Sequence, residues 1–454
     1  MNRLLLNSSF VLSLLLPLAA AAKVGADKAA MLDSATHTCV GAERAGTASG
    51  VAAYTGKYLD SWPGMKDKSG YDPGPYADEK PLFTITADNM ATYADRLTEG
   101  QKALLKKHPK TFRMAVYPSH RDFRMPDWVC KVVKQNATTA ELVDNGLGTT
   151  GTDGGIPFPF PQSGLEAIWN MISPYRAYSE AAVNDIIDVY GNGKLAYGKQ
   201  RYRSLNVTTN PNRRGSYTDK IAAHFFVESL LPARDRGSIA VGIQPNNFSK
   251  DSTMAWQYNP GIRRVRQAPE ICCDFPVPPA GLRTIDDDYV FNGSPERYTW
   301  KLVGKKEMVV PWHNFRVNDP AIKYAQLATP GSINADYVRY ELQRVWVIEA
   351  ELKSGMRHIY KRRTIYAQED TWFGVWGDNY DNRDQLWRAA LINYRYAPDA
   401  QTYQRGVSVY HDLTADAYEA TYLVNEAGEG WWRMNDPKID ESMFGPKAAT
   451  LGGK

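Results

Sequence analysis

Two glycine-rich stretches come closest to nucleotide-binding chemistry. The stretch Gly146-Leu-Gly-Thr-Thr-Gly151 has the glycine spacing of a dinucleotide fingerprint, whose backbone cradles a pyrophosphate. It follows a predicted helix and runs into a proline-rich segment, whereas the fingerprint needs a strand before it and a helix after it. Residues 193–199 imitate a phosphate-binding loop, but Gln200 occupies the position of the Ser or Thr that binds magnesium. Neither stretch is therefore predicted to bind a nucleotide, and no cofactor is expected.

The seven histidines and the acidic clusters give no arrangement that is typical of catalysis. Neither a Gly-x-Ser-x-Gly nucleophile turn nor a His-Glu-x-x-His helix occurs, and no two histidines have the spacing of a metal pair. Residues 378–384 are rich in oxygens that suit calcium, but they lack the glycine and the glutamate of an EF-hand loop. A polar turn is the favoured interpretation there, with calcium left open. No catalytic residue and no metal site is predicted, and the protein is not expected to be an enzyme.

An aromatic hairpin is the most informative stretch of the chain. Met254, Trp256 and Tyr258 alternate with smaller or polar residues, so their side chains share one face of a strand. Residues 259–261, Asn-Pro-Gly, supply a turn, and residues 262–266 return as a basic edge. An ordinary half-buried hairpin and a hairpin that contacts a ligand both fit this pattern.

Aromatic and aliphatic residues on alternating strand faces are the candidates for binding a hydrophobic ligand. Tyrosine (27) and tryptophan (12) are abundant, which suits wide β-sheets and equally suits apolar or carbohydrate ligands. The predicted lining of a hydrophobic cavity consists of Phe225, Trp256, Tyr258, Trp346, Ile348, Trp372 and Trp376. Each of these is also a plausible core residue. Arg263, Arg264 and Arg266 are predicted to contact lipid head groups or an acidic partner, with a solvated edge strand as the alternative.

Residues 1–22 have the features of a cleaved signal peptide. Arg3 gives a positive start, residues 11–18 an apolar core, and residues 19–22 a cleavage site made of small residues. The apolar core is too short to cross a bilayer as a helix, and no later segment is long enough. The mature protein is predicted to reach the periplasm, where it either stays free or lies peripheral to the outer membrane. Eukaryotic secretion is the alternative.

The four cysteines fit an oxidising compartment without forming a dense disulfide framework. Cys39 and Cys130 are one candidate disulfide, and Cys272 and Cys273 are adjacent in the chain. Four cysteines allow three complete pairings, and the sequence does not choose among them.

Composition and pattern divide the chain into five segments. These are the signal peptide (1–22), an extended arm rich in Gly and Pro (23–84), a helical and Pro-rich lid (85–180), a curved antiparallel sheet (181–425) and a C-terminal tail (426–454). Lid and sheet are expected to form one domain.

A few helices and many strands are predicted. The helices are expected at 85–107, 136–144, 164–172 and 285–291. Strands are expected at 183–190, 194–207, 221–229, 237–243, 253–258 and 262–266, and from residue 300 to residue 413. About a dozen strands with short turns predict a mainly β (α+β) fold, with one large curved sheet that the helices cover.

Several segments carry a resemblance to a known family. They are Gly41-Ala-Glu-Arg-Ala-Gly46, Lys80-Pro-Leu-Phe-Thr-Ile-Thr86 with Asn89-Met90, Phe112-Arg-Met114 with Tyr117-Pro118, Gly155-Ile-Pro-Phe-Pro159, Gly164-Leu-Glu-Ala-Ile-Trp-Asn170, Tyr258-Asn-Pro-Gly261 with Arg263-Arg-Val-Arg266, and Trp300-Lys-Leu-Val-Gly-Lys-Lys306. With them the chain resembles a large family of uncharacterised, exported Gram-negative proteins that carry the name outer-membrane lipoprotein-sorting proteins.

That resemblance implies a fold similar to the LolA/LolB-type lipoprotein carriers, a curved and unclosed antiparallel half-barrel around an apolar cavity. It also implies a non-enzymatic carrier or accessory protein, which transfers a lipid, a lipoprotein acyl chain or a similar hydrophobic ligand between the inner and outer membranes. The expected partners are a membrane exporter of the resistance-nodulation-division type and an outer-membrane protein. The cysteines are not expected in relatives, so no thiol chemistry is carried over.

Two other function classes stay open. One is a hydrolase that acts on carbohydrate or lipid through paired carboxylates, although no pair stands out. The other is a structural partner of an outer-membrane export complex. A nucleic-acid partner is not expected, because the formal net charge of +4 is nearly balanced.

Overall fold

The computed structural model describes residues 23–213, 221–251, 253–268 and 273–452. The predicted signal peptide and Cys272 lie outside the described residues.

Strands make up most of the regular structure. They are β1 Phe83–Ile85, β2 Met114–Tyr117, β3 Glu141–Val143, β4 Gly148–Thr150, β5 Ser179–Tyr190, β6 Leu195–Asn206, β7 Ile221–Leu231, β8 Ile239–Pro245, β9 Met254–Asn259, β10 Arg264–Gln267, β11 Tyr298–Pro311, β12 Ala328–Thr329, β13 Ser332–Ile333, β14 Tyr340–Leu352, β15 Arg362–Gln368, β16 Gly374–Tyr380, β17 Leu386–Ala397, β18 Thr402–Asp412, β19 Ala417–Leu423 and β20 Arg433–Met434. The α-helices are α1 Ala26–Ala30, α2 Glu99–Lys107, α3 Asp127–Thr139, α4 Gly164–Ile172, α5 Tyr324–Leu327 and α6 Pro446–Gly452.

Sixteen strands form one sheet. Its order is β1-β2-β14-β15-β16-β17-β18-β19-β5-β6-β7-β8-β9-β10, with β11 paired to β14 and β20 paired to β5. The pairing is antiparallel throughout this sheet except between β14 and β2. Within the described residues, β1 and β10 stand at opposite ends of the order, so the sheet is unclosed. The predicted mainly β fold, with a large unclosed sheet and few helices, is confirmed.

The central pairing joins two halves of the chain. Strand β19 pairs with β5, so that Glu419 lies directly opposite Asp188. Strands β5–β10 extend the sheet on one side of this pair and strands β14–β19 on the other. The main core packs around the second half, and it includes Ile348, Trp372 and Trp376 among its fully buried residues.

The helix prediction is confirmed at one place and corrected at three. Helix α4 begins where expected, because the Ser163 side chain accepts a hydrogen bond from Glu166 N. The helix predicted over 85–107 is wrong in its first half. That half contains β1 and a 3-10 helix, Met90–Arg96, and α2 begins only after Thr98, whose side chain forms a capping box with Gln101.

The other two predicted helices also differ from the structure. The helix expected at 136–144 belongs to α3, which starts at Asp127, directly after Pro126 and before the predicted start, and ends at Thr139. Proline suits this position because a helix start has no partner for its N–H. The helix expected at 285–291 is only a 3-10 turn, Ile285–Asp287, whose buried carboxylates also bind Arg363 of β15.

The helices lie mainly over the second half of the sheet. Helix α2 packs on β16, where Gly100 N donates to Asp378 Oδ1 at 3.0 Å. Helix α4 packs on β11, and Gly164 approaches so closely that a Cβ atom would lie 2.3 Å from the Trp300 backbone. The N-terminal arm is joined to α3 by a disulfide between Cys39 and Cys130. No helix in the described ranges has the length and apolarity needed to cross a membrane.

Candidate ligand-binding cavity

A cavity of about 540 Å³ lies between one face of the sheet and residues 273–298. Strands β6, β7 and β8 form its floor, and residues 273–298, the cover segment, form its roof. This volume falls within the range of roughly 300–1,000 Å³ that is typical of small-molecule sites. The cavity is therefore the candidate ligand-binding site.

The middle of the floor is apolar because β7 and β8 present hydrophobic and small residues on the same face, whereas β6 also lines the cavity with Gln200, Ser204 and Asn206. Phe225 and Val227 of β7 lie opposite Gly242 and Ala240 of β8. A Cβ atom at Gly242 would lie 2.3 Å from the Phe225 ring, so only glycine leaves room for that ring. Tyr202 of β6 lies opposite Val227 and continues the same lining. The sheet thus offers a hydrophobic surface that the cover segment encloses without filling.

The roof is largely hydrophobic as well. The cover segment contributes Phe275, Val277, Pro278, Pro279, Ile285 and Tyr289 to the lining. The two prolines carry no backbone N–H, which reduces the number of polar groups that face the cavity.

Buried ion pairs hold the cover segment on the sheet. Arg363 of β15 is fully buried, and its guanidinium donates to Asp286 Oδ2 at 2.9 Å and to Asp287 Oδ1 at 2.6 Å. The Tyr360 hydroxyl donates to Asp287 Oδ2 at 2.9 Å, and His358 Nε2 lies 3.0 Å from Asp286 Oδ2. Burial alone would raise the pKa of Asp286, but Arg363 and the His358 hydrogen bond hold it below its usual value. These ion pairs and hydrogen bonds therefore hold the roof of the cavity against the sheet.

Arginines gather at one end of the cavity. Arg283 lines the cavity, and its Nε donates to Glu419 Oε1 at 2.6 Å. Arg405 forms an ion pair with Asp288, which also accepts a hydrogen bond from the Tyr422 hydroxyl at 3.3 Å. The cavity thus has hydrophobic walls and a polar end.

A third arginine belongs to the same end. Arg176 lines the cavity, with its guanidinium 4.3 Å from the centroid of the Tyr289 ring. The Arg405 guanidinium lies 3.8 Å from the centroid of the same ring. A ring between two guanidinium groups attracts both through its π-electrons.

Two carboxylates of the lining are already engaged in ion pairs. Asp286 binds Arg363, and Asp288 binds Arg405. These two ion pairs fix the cover segment on the sheet.

A buried histidine away from the cavity resembles a catalytic arrangement but has no access to solvent. His313 Nδ1 lies 2.9 Å from Glu341 Oε1, and His313 Nε2 lies 2.7 Å from the Tyr403 hydroxyl. The side chains of His313 and Glu341 are both 0% exposed. Burial lowers the pKa of His313 despite the opposing effect of Glu341, so the neutral imidazole bridges its two partners. This cluster stabilises the fold.

The acidic stretch that suggested calcium is a turn between β16 and β17. Asp381 Oδ1 accepts hydrogen bonds from the backbone of Arg383 and of Gln385, at 2.8 and 2.9 Å. Asp378 accepts from Trp376 Nε1, and Asp384 binds Lys361. The favoured interpretation as a polar turn describes this segment.

Only Phe225 of the predicted lining residues lies at the cavity. The other six are not among the residues that line this cavity: Trp256, Tyr258, Trp346, Ile348, Trp372 and Trp376. The ring of Trp346 stacks on Trp372 with 5.2 Å between centroids, and Ile348 and Trp376 are fully buried in the main core.

The aromatic hairpin faces away from the cavity. Trp256 lies opposite Val241, and Tyr258 lies opposite Ile239, on the face that the C-terminal tail covers with Phe444. Alternation places both aromatic residues on one face of the strand but does not say which face borders the cavity.

The three arginines of this hairpin are exposed at the end of the sheet. Arg263, Arg264 and Arg266 are exposed and lie outside the cavity, in or beside the edge strand β10. A contact with lipid head groups or with an acidic partner stays a prediction for them.

Sequence reasoning missed the cover segment and the arginines at the polar end. The available signal was the run Pro276-Val-Pro-Pro279 between two strands, which indicates an extended crossing segment. Nothing in the pattern indicates that Arg176 and Arg283 meet at one cavity, because they belong to segments far apart in the chain.

The comparisons with known proteins decide the family. A family model described as protein of unknown function (DUF1329) matches residues 84–450. The chain belongs to this family. The family relation that the sequence motifs indicated is confirmed.

Relatives of this DUF1329 protein include one curated protein and several solved structures. The chain is 39% identical over 436 residues to uncharacterized protein PA3922 of Pseudomonas aeruginosa, covering 95% of this chain and 94% of that one. A DUF1329 family protein from Desulfovibrio piger matches at 12% identity and a TM-score of 0.40, over 60% of this chain and 92% of that one. LolA superfamily protein NE2245 from Nitrosomonas europaea matches at 10% identity and a TM-score of 0.35, over 61% of this chain and 94% of that one.

Proposed function

We propose that this DUF1329 protein is a non-enzymatic carrier that holds a hydrophobic small molecule or lipid in the cavity under the cover segment. The observation that carries the proposal is the cavity of about 540 Å³ between Phe225 and Val227 below and Val277 and Ile285 above. Moving acyl chain from water into such a cavity gains roughly 0.8 kcal/mol per methylene, without any covalent step.

The periplasm is the place of action that fits this role. A carrier between two membranes has to cross water with its cargo shielded, and the cover segment supplies the shield. We further propose that the carrier exchanges cargo with a membrane exporter and with an outer-membrane protein. The exposed arginines beside β10, Arg264 and Arg266, supply positive charge for a docking contact with lipid head groups or with an acidic partner.

Native mass spectrometry tests the proposal on mature protein exported to the periplasm of a Gram-negative host and purified without detergent. The wild-type protein is expected to retain a lipid or similar amphiphile that organic solvent extracts. An empty protein that also fails to take up added lipid would contradict the proposal. Stoichiometric co-purification of a protein partner without lipid would instead favour a structural role.

The variant Val227→Trp is expected to reduce the retained lipid by about tenfold, because the added indole occupies space that the lipid needs. Steric overlap between the indole and the lipid costs on the order of 1–3 kcal/mol of binding free energy. Val303→Trp is the matched control, since Val303 is a strand valine that is 39% exposed and lies outside the cavity. Equal lipid content in the two variants would place the cargo somewhere else.

A further inference from the structure

The residues at the polar end of the cavity indicate which kind of head group the cargo has. We propose that the cavity takes an amphiphile with an anionic head group, carboxylate or phosphate, which Arg176 and Arg283 bind. The tail lies along Phe225 and Val227. This inference rests on the proposed carrier function and adds the chemical class of the ligand.

Arg283 has donors to spare inside the protein. It is only 6% exposed and lines the cavity, and its Nε donates to Glu419 Oε1 at 2.6 Å. Its two Nη groups make no hydrogen bond with any described residue. A guanidinium has five N–H donors, so those of the two Nη groups stay available to a ligand. A ligand anion in the cavity supplies the acceptor that these nitrogens lack.

Arg176 adds a positive charge that no ion pair occupies. Its guanidinium rests on Tyr289 and lies within 4 Å of no carboxylate oxygen among the described residues. Burial raises the pKa of Glu180, a carboxyl of β5 whose charge acts on both Arg176 and Arg405. Nearby, Arg405 Nη2 is buried without a partner among the described residues. Arg176 and Arg405 thus offer donors that no described acceptor occupies.

The carboxylates of the same end are already paired. Glu419 binds Arg283 and Asp288 binds Arg405, so Arg176 is the arginine of this end without an ion pair among the described residues. Planar guanidinium groups bind carboxylate and phosphate through paired hydrogen bonds, so an anionic head group matches them in geometry as well as in charge.

The volume accommodates an acyl chain. At roughly 10–15 Å³ for each group the size of a water molecule, the cavity holds on the order of 40 such groups. An acyl chain with its head group fits this space.

Titration calorimetry with matched amphiphiles tests the inference on the delipidated mature protein. Dodecanoate and dodecyl phosphate are expected to bind at least about tenfold more tightly than dodecanol and dodecyltrimethylammonium, because only the first two offer acceptors to the arginines. Inorganic phosphate alone is expected not to compete with dodecanoate, which separates an amphiphile site from a free phosphate site.

Two variants assign the effect to the cavity. Arg176→Gln is expected to weaken dodecanoate about tenfold and to leave dodecanol unchanged, and it breaks no ion pair needed for folding. Arg383→Gln is the control, because it removes the same charge from the exposed turn between β16 and β17, outside the cavity. Equal affinity for dodecanoate and dodecanol, or no loss in Arg176→Gln, would overturn the anionic class while leaving a hydrophobic carrier. Failure of all four amphiphiles to bind would overturn the carrier function itself.

Discussion

Replacing Arg363 with methionine is expected to lower the free energy of unfolding by about 3–5 kcal/mol. The substitution leaves Asp286 and Asp287 as buried carboxylates that have lost a direct partner at 2.9 and 2.6 Å. Both belong to the cover segment, so the roof of the cavity is expected to loosen as well. Urea unfolding measures the loss of stability, and native mass spectrometry measures the accompanying loss of retained lipid.

The neighbouring residue provides a matched control for this prediction. Arg362 lies on the same strand, and its side chain is 33% exposed beside Asp384 at 3.6 Å. Its guanidinium stacks on the Tyr380 ring at 3.5 Å from the centroid. Arg362→Met is expected to cost only about 0–1 kcal/mol, because solvent screens an exposed pair. Equal destabilisation by the two variants would show that Arg363 does not hold the cover segment through its charge.

Local signals in the sequence predict local structure well. The turn residues Gly191-Asn-Gly193 predict the hairpin of β5 and β6, and Ser163 predicts the start of α4. The pairing of β19 with β5 is different in kind, because it joins strands from two distant parts of the chain. The hydrophobic periodicity of a sequence describes one segment at a time. It therefore predicts neither the order of the strands in the sheet nor the pairing between the two halves of the chain.

The cavity was harder to predict than the fold because a strand has two faces. Trp256 and Tyr258 were the strongest apolar signal, yet their face meets the C-terminal residue Phe444. The face that borders the cavity carries Phe225 opposite Gly242 and Val227 opposite Ala240, a weaker hydrophobic pattern. A cavity needs small residues in places where a packed core needs large ones. Large aromatic side chains in this sequence therefore predict the packed core better than they predict the lining of the cavity.

A buried carboxyl pair behind the polar end makes the stability of the protein depend on pH. Asp188 and Glu419 lie directly opposite each other on β5 and β19, and both are 0% exposed. Both carboxylate oxygens of Asp188 lack a hydrogen-bond partner among the described residues, while Glu419 binds Arg283. Burial and the neighbouring Glu419 raise the pKa of Asp188 to about 8. Asp188 is therefore protonated in the folded protein at neutral pH.

The direction of the pH dependence follows from this shift. The unfolded chain releases the Asp188 proton near pH ~3.9, whereas the folded protein keeps it until about pH 8, so the folded state binds more protons between these values. The free energy of unfolding is therefore expected to fall, by on the order of several kcal/mol, as the pH rises from about 4 to about 8. Urea unfolding at about pH 5 and at about pH 8.5 measures the difference.

The variant Asp188→Asn is expected to flatten this profile and to be more stable than the wild-type protein at about pH 8.5, because an amide of the same shape carries no charge to bury. Asp185→Asn on the same strand is the control, since Asp185 has partners in Lys199 at 3.5 Å and in the Tyr324 hydroxyl at 2.7 Å. That control is expected to lose some stability and to keep the wild-type slope. An unchanged slope in Asp188→Asn would mean that Asp188 is ionised in the fold, and the positive charge at the polar end would then be smaller than inferred.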